Sequence, residues 1–350
     1  WQPNYADIEE YIPRLEVSKM RKMLDEVFDS EHIDLTRWHL MVKGKLKAPM
    51  DLKAEFKVEH PQTIMYLESG STNAMFSAMM VRFRSVFVEC LRPEIALNSQ
   101  MSDEEHESWY NGNEARARAV GETYSYAADV WTYDRSQDNV ALGIDIEVYK
   151  RMGLSRETLS LWEQTHGVKK ATSMMFGLVL YIALGGVSGI WKTLFRNGVV
   201  NLAALLLATG ITREQLVMWD IKGDDSDMLT SVPIKVAVAV AKMGLVLNLS
   251  AKFFTQDVRY MCKSYRIRKN GRWYFLADPW GKVEAVCAAV VMDSSGDSKL
   301  IERWISLADS LRNYDDMVLL DELAVAMQHN LRLDFFANGV CVGYSRSWSK

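Results

Sequence analysis

The chain has 350 residues, 49% of them hydrophobic and 11% aromatic, ample for a core in one large domain or two, which marks a folded globular protein. Its net charge of −4 excludes a global basic field as the means of drawing in nucleic acid, so any such attraction has to be local. Cys90, Cys262, Cys287 and Cys341 show neither CxxC pairing nor partner-histidine spacing, which argues against a zinc site or a disulfide framework and fits reduced cytosolic thiols.

The chain opens at Trp1 without Met or a signal-peptide pattern, and the expectation is a segment cut from a longer protein. Val17 to Phe28 places Met20, Met23, Leu24 and Val27 at helical spacing. A basic stretch follows (Lys43, Lys45, Lys47, Lys53, Lys57), relieved by Asp51 and Glu55. Asn73 to Leu91 predicts a helix carrying Arg82 and Arg84. The acidic run from Met101 to Glu107 predicts the cap of a surface helix with a solvated face. Tyr124 to Tyr133 predicts a buried strand, Ser136 to Met152 an amphipathic helix closed by Gly153, and Ser155 to His166 a short helix. Ala171 to Trp191 carries no charge, but Gly177, Gly185, Gly186 and Gly189 weaken a helix there. A buried strand or hairpin leading into a glycine-hinged loop is expected instead of a membrane span. Thr193 to Thr209 predicts a helix ended by Gly210. Strands Leu216 to Ile221 and Asp227 to Ser231 put Gly223-Asp224-Asp225 at a hairpin tip. Val232 to Met243 predicts a helix with Pro233 in its first turn and Gly244 at its end. Past Tyr265 a mixed region is expected, with a turn at Pro279 and helices over Leu300 to Leu311 and Asp316 to Leu331. The histidines fall at no ligand spacing.

Two acidic segments carry the chemistry. Asp129 and Asp134 come first, and Asp224 and Asp225 follow, with Ser188-Gly189-x-x-x-Thr193-x-x-x-Asn197 between. Acidic side chains at strand ends are what two divalent cations need when a hydroxyl attacks an α-phosphate and pyrophosphate leaves. Gly-Asp-Asp alone is also a common solvated turn; order and spacing lift it above that. βαβ-like alternation followed by an antiparallel hairpin predicts an α+β chain and the palm of a nucleotide polymerase. Arg259, Lys263, Arg266, Arg268, Lys269 and Arg272 interleave with Tyr260, Tyr265, Trp273 and Tyr274, a pattern that fits a grip on RNA product-strand phosphates. A solvated basic hairpin has the same pattern.

Together these segments resemble the RNA-dependent RNA polymerases of positive-strand RNA viruses in the alphavirus-like supergroup, closest to the plant-virus branch typified by tobamoviruses and closteroviruses. Asp129-x-x-x-x-Asp134 with Arg135-Ser136-Gln137 is similar to that family's motif A, Ser188 to Asn197 to motif B, and Gly223 to Ser226 to motif C. Asn248 to Lys252 resembles motif D and Met261 to Tyr265 motif E. Met41-Val42-Lys43 and Gln62 to Tyr66 resemble a fingers segment, and Ala277-Asp278-Pro279 the start of a thumb. Two positions depart from the pattern: Leu184 to Val187 is uncharged before Ser188, and Lys222 directly precedes Gly223.

The resemblance implies a right-hand polymerase of fingers, palm and thumb, with an antiparallel palm sheet flanked by helices. Fingers would fill 1–123 and 155–184, palm 124–154 and 185–265, and thumb 266–350. It implies two Mg²⁺ or Mn²⁺ ions held by Asp129, Asp224 and Asp225, and Lys252 as proton donor to pyrophosphate. Asp134 and Asn197 would read the ribose hydroxyls, Ser188, Gly189 and Thr193 would shape the nucleotide loop, and Lys43 and Lys47 would bind triphosphate. Arg259, Lys263, Arg266 and Arg268 would hold RNA. The implied partners are RNA template, nascent RNA, NTPs, and the helicase and capping modules of a larger replicase. The implied location is the host cytoplasm, in complexes that reach membranes through those other parts. Three readings stand beside it. A reverse transcriptase is disfavoured by Asp134 and Asn197, and a catalytically silent RNA-binding scaffold by the intact acidic set. A two-metal nuclease would not require the Ser-Gly loop.

Overall fold

A computed structural model of the chain describes residues 5–11, 35–42, 63–98, 101–130, 138–174, 176–183, 192–249, 251–256, 258–262, 264–278 and 313–331, with residues 301, 305, 307, 308 and 311 singly. In chain order these form α1 (Tyr5–Tyr11), β1 (Arg37–Val42), β2 (Thr63–Leu67), α2 (Gly70–Cys90), β3 (Ile95–Leu97), α3 (Asp103–Val120) and β4 (Tyr124–Val130). There follow α4 (Asn139–Arg151), α5 (Arg156–Gln164), β5 (Lys169–Ser173), β6 (Leu178–Ile182), α6 (Lys192–Thr209), β7 (Leu216–Lys222) and β8 (Asp225–Thr230). The last are α7 (Val236–Leu247), β9 (Ala251–Thr255), β10 (Arg259–Met261), β11 (Ser264–Lys269), β12 (Arg272–Ala277) and α8 (Met317–Leu331).

Local chemistry explains the helix ends. Ser69, Ser102, Asp138 and Ser155 each accept a backbone N–H of the first turn of α2, α3, α4 and α5, satisfying a donor the helix itself leaves unpaired. At α3 the cap is reciprocal, since Glu105 accepts from the Ser102 backbone N–H at 2.8 Å. α7 departs from expectation. It begins after Pro233 and continues through Gly244 to Leu247, ending at Asn248 in the left-handed region with φ 52°. Gly244 costs a helix only about 1 kcal/mol, and the apolar run beyond it outweighs that; Asn tolerates the left-handed cap.

The strands make three sheets. β2-β1-β5-β6 form one, β10-β11-β12 a second, and β3-β7-β8-β4-β9 the third. In the five-stranded sheet β3 runs parallel to β7 and the remaining pairs are antiparallel. One face of that sheet packs Tyr126, Trp219, Ile221, Met228 and Phe253 into the largest core, against Phe195, Val199 and Leu202 of α6 and the aromatic set Tyr149 and Trp162. The other face carries Met218 and Leu229 against Tyr110 of α3 and Trp273 and Phe275 of β12. A third core joins Tyr265, Ile267 and Leu276 to Leu319, Leu323 and Met327 of α8. The fold is α+β, as expected.

Two further expectations need correction. The uncharged stretch does form a hairpin, β5–β6, but β6 is not buried: Val179, Tyr181 and the preceding Phe176 are exposed. No helix among the described residues is long and apolar enough to cross a membrane. The acidic run is solvated only through Glu105; His106 and Glu107 turn inward and are buried with Tyr110, Asn113 and Glu114. The helical period brings this polar stripe around to face β12, where Glu107 accepts from the Phe275 N–H and Glu114 from the Trp273 indole. The expected helices over 17–28 and 300–311, the basic stretch 43–57 and Pro279 lie wholly or largely outside the described residues.

Candidate active site

Residues Lys222 and Asp225 close the β7–β8 ladder around the two-residue turn Gly223-Asp224. Gly223 has φ 65° at the first central position, the place where a II′ turn needs a residue without Cβ. The turn therefore projects Asp224 from the end of the sheet. β4 pairs with β8 as far as Ala128 opposite Ser226, so Asp129 follows level with Asp225. On the other side of β4, Lys252 stands directly across from Asp129. Register alone thus collects Asp129, Asp224, Asp225 and the backbone of Lys252 at one end of one sheet. The three aspartates are half-buried.

The donors are all carboxylate oxygens, the hard chemistry that suits Mg²⁺ or Mn²⁺. Among the described residues no three His, Cys, Asp or Glu side chains stand already grouped around a metal position. What converges is the backbone that carries them. One neighbour was not foreseen: the Cys262 thiol donates to Asp225 Oδ2 at 3.2 Å. Burial, reinforced by the Asp225 carboxylate, pushes that thiol up to about 12, so it stays a neutral donor.

α6 approaches the hairpin from the apolar face. Asn197 on it is buried, and so is Asn201 one turn later. The Asn201 amide donates to the carbonyls of Gly223 at 3.2 Å and Asp224 at 3.0 Å. The close seating has a simple cause at Gly198, where an added Cβ would collide with Leu97 of β3.

The model of the RNA dependent RNA polymerase family matches residues 2–342. The chain belongs to that family. It is 24% identical over 89% of its length to the replicase large subunit of Potato mop-top virus, of which it spans 17%. It is 25% identical over 87% of its length to the RNA-directed RNA polymerase of Barley stripe mosaic virus, spanning 38% of that protein. A replicase large subunit of Tobamovirus Ob is 23% identical over 86% of the chain. The chain therefore covers well under half of each of these relatives. Among solved structures, the RNA-dependent RNA polymerase of a human picorbirnavirus superposes with a TM-score of 0.56 at 11% identity, covering 71% of this chain and 48% of that one. That likeness establishes the polymerase fold, and the tobamovirus-like relatives place the chain in the alphavirus-like supergroup.

In this family member two of the four residues anticipated to hold RNA are turned inward. Arg259 and Arg266 are buried, at 5% and 4% exposure, and cannot reach phosphates. Arg259 contacts Asp227 through Nε at 3.0 Å and through a terminal nitrogen at 2.9 Å. Arg266 faces Asp220 at 3.8 Å and lies over the Phe275 ring. Arg268 is paired with Glu114 while remaining partly exposed. The physical reason is that Asp220 and Asp227 sit opposite each other on β7 and β8 with no exposure, and two buried carboxylates require cations. His106 meets Asp220 at 2.6 Å, and the Tyr110 hydroxyl donates to Asp227 at 2.8 Å. Burial pushes the Asp220 carboxyl up, but His106, Arg266 and Arg259 together hold it below the ordinary carboxylate value. This lattice was missed in the sequence. Its one legible signal was that Asp220 and Asp227 are equidistant from the turn.

Lys43, Lys47, Asp134, Ser188, Gly189 and Lys263 lie outside the described residues. For Thr193 and Lys252 only the backbone is described, in α6 and β9.

Proposed function

We propose that this chain is the catalytic core of an RNA-directed RNA polymerase that replicates a positive-strand viral genome. It would join NMPs from NTPs to an RNA 3′-hydroxyl, on an RNA template, with release of pyrophosphate. The observation that carries the reading is the delivery of Asp129, Asp224 and Asp225 to one sheet end by strand register and a two-residue turn. Family membership supports it. Asp129, Asp224 and Asp225 would hold two Mg²⁺ or Mn²⁺ ions, which when bound lower the pKa of the attacking hydroxyl and neutralise the departing pyrophosphate. Asp134 and Asn197 would hydrogen-bond the ribose, so that a deoxynucleotide leaves them unpaired. Ser188, Gly189 and Thr193 would shape the loop before α6, Lys43 and Lys47 would meet the triphosphate, and Lys252 would protonate pyrophosphate. Arg268, with Lys263, keeps a role beside the RNA product.

The five-stranded sheet would be the palm, with palm segments at 124–154 and 185–265, fingers at 1–123 and 155–184, and thumb beyond 266. Helicase and capping modules would belong to the longer replicase, which would work in membrane-associated complexes of the host cytoplasm.

The test is extension of a primer–template RNA with Mg²⁺ or Mn²⁺ and either NTPs or dNTPs. Template-dependent extension with NTPs that vanishes in Asp224→Ala is expected. Extension with dNTPs instead would mean a reverse transcriptase. Cleavage of RNA without NTPs would mean a nuclease, and RNA binding without either would mean a scaffold.

A further inference from the structure

The two carbonyls of a tight turn have no partner in the strand ladder, and once buried they need a donor from elsewhere. Here both are met by one side chain. The Asn201 Nδ2 reaches Gly223 O and Asp224 O together, and the residue has no exposure. Its Oδ1 is buried without a hydrogen-bond partner among the described residues, so the two carbonyls alone fix which way the amide faces. The reversed amide would set oxygen against two carbonyl oxygens. Asn197 is one helical turn earlier on the same side of α6. The helix is seated against the sheet at Gly198, leaving little room to slide.

We propose that Asn201 is a positioning residue for nucleotide addition. It fixes the tip that carries Asp224 relative to α6, so that one rigid helix registers the ribose-reading Asn197 against the metal-holding turn. The reaction in this inference rests on the polymerase reading above; the amide–turn contact does not. Neither the Ser-Gly-Thr-Asn motif nor Gly-Asp-Asp includes Asn201, and its effect would be exerted through Asp224 without contact with substrate.

Asn201→Asp keeps the shape and removes both donors, turning the contact repulsive. Asn201→Ala serves where the aspartate variant folds poorly, with folding followed by circular dichroism and thermal melting. Single-nucleotide addition is measured against NTP concentration, and Mn²⁺ binding is titrated separately by electron paramagnetic resonance, with Asp224→Ala as the floor. The expected result is a kcat reduced by roughly tenfold or more, the kinetic equivalent of one or two lost hydrogen bonds. KM for NTP should stay near wild type while the Mn²⁺ half-saturation concentration rises. A folded variant with wild-type kcat and Mn²⁺ titration overturns the proposal. So does a loss confined to melting temperature or to KM. Should the wild-type chain add no nucleotide, the polymerase reading fails, and the Mn²⁺ titration alone decides the role of Asn201.

Discussion

Asp224 and Asp225 at the tip of the β7–β8 hairpin, and Asp220 and Asp227 lower on the same strands, are one kind of side chain in opposite surroundings. The tip pair is half-buried at the sheet end, whereas the lower pair is wholly enclosed between α3 and the β10–β12 sheet. Enclosure strips water from a carboxylate, a loss of several kcal/mol per ion unless charge and hydrogen bonds replace it. The lower pair receives them from Arg259, Arg266, His106, Tyr110 and Gln256. The comparison separates two uses of acid on one hairpin. The carboxylates to which the proposed reading gives cations from solution stand at the rim, and the carboxylates that hold the hairpin in place bring their cations from the same chain.

The sharpest way to break that division is to remove one member from each side. Asp224→Ala should lower nucleotide addition by about a thousandfold or more, since a metal ligand supplies several kcal/mol at 1.36 kcal/mol per decade. Its melting temperature should stay close to wild type. Arg259→Met should do the reverse, leaving Asp227 buried without its main cation at a cost of about 3–5 kcal/mol. Denaturant unfolding measures that cost. Adding Asp227→Leu to Arg259→Met should restore much of the stability, because an apolar pair can stand in for a buried ion pair. A double variant no more stable than Arg259→Met would mean that the pair is not the unit that matters.

The tip was legible in the sequence and the lower pair was not, for a physical reason. Gly223 and Asp224 announce a turn through local conformational preference, and the apolar strands beside them set the register. Whether Asp220 and Asp227 are wet or dry depends on α3 and β10–β12, which no local pattern brings to them. The same blindness misassigned Arg259 and Arg266. A run of cations between aromatics looks the same whether it grips phosphate or answers carboxylates hidden on another strand. His106, Glu107 and Glu114 were hidden by their neighbours, because Asp103 to Glu105 made the whole run look solvated. Asn201 had a faint signal, its one-turn spacing from Asn197, but only the fold shows that the turn lies there to receive it. The other expected elements that fall among the described residues appear in the order expected, with α7 displaced because its apolar run overrode Gly244, whereas α1, β1, β2 and β3 had no counterpart in the sequence expectations.

A smaller effect probes how the two levels are joined. Tyr110 touches both lower carboxylates, donating to Asp227 at 2.8 Å and lying 3.3 Å from Asp220. Tyr110→Phe keeps the ring packed against Trp273 and Phe275 and removes only the hydroxyl, so a loss of about 1–2 kcal/mol is expected. Nucleotide addition by the folded fraction should be little changed. A large loss of kcat without loss of stability would mean that the lower lattice also tunes the tip.

The smallest effect is a dependence on pH, and its sign follows from Asp220. The groups facing that carboxyl are His106 and Tyr110 of α3, Arg259 and Arg266 of the second sheet, and Asp227 across the hairpin. The cations among them hold its folded pKa below the unfolded value of about 3.9. A depressed carboxyl contributes stability that is fully present above the unfolded pKa and is lost as pH falls through the folded one. Unfolding free energy should therefore decline more steeply below about pH 4 in wild type than in Asp220→Asn. The asparagine variant starts less stable at neutral pH, and the two curves should approach each other in acid. Parallel curves through that range would show that Asp220 gains nothing from its cations on folding, and the division between tip and base would then rest on Asp227 alone.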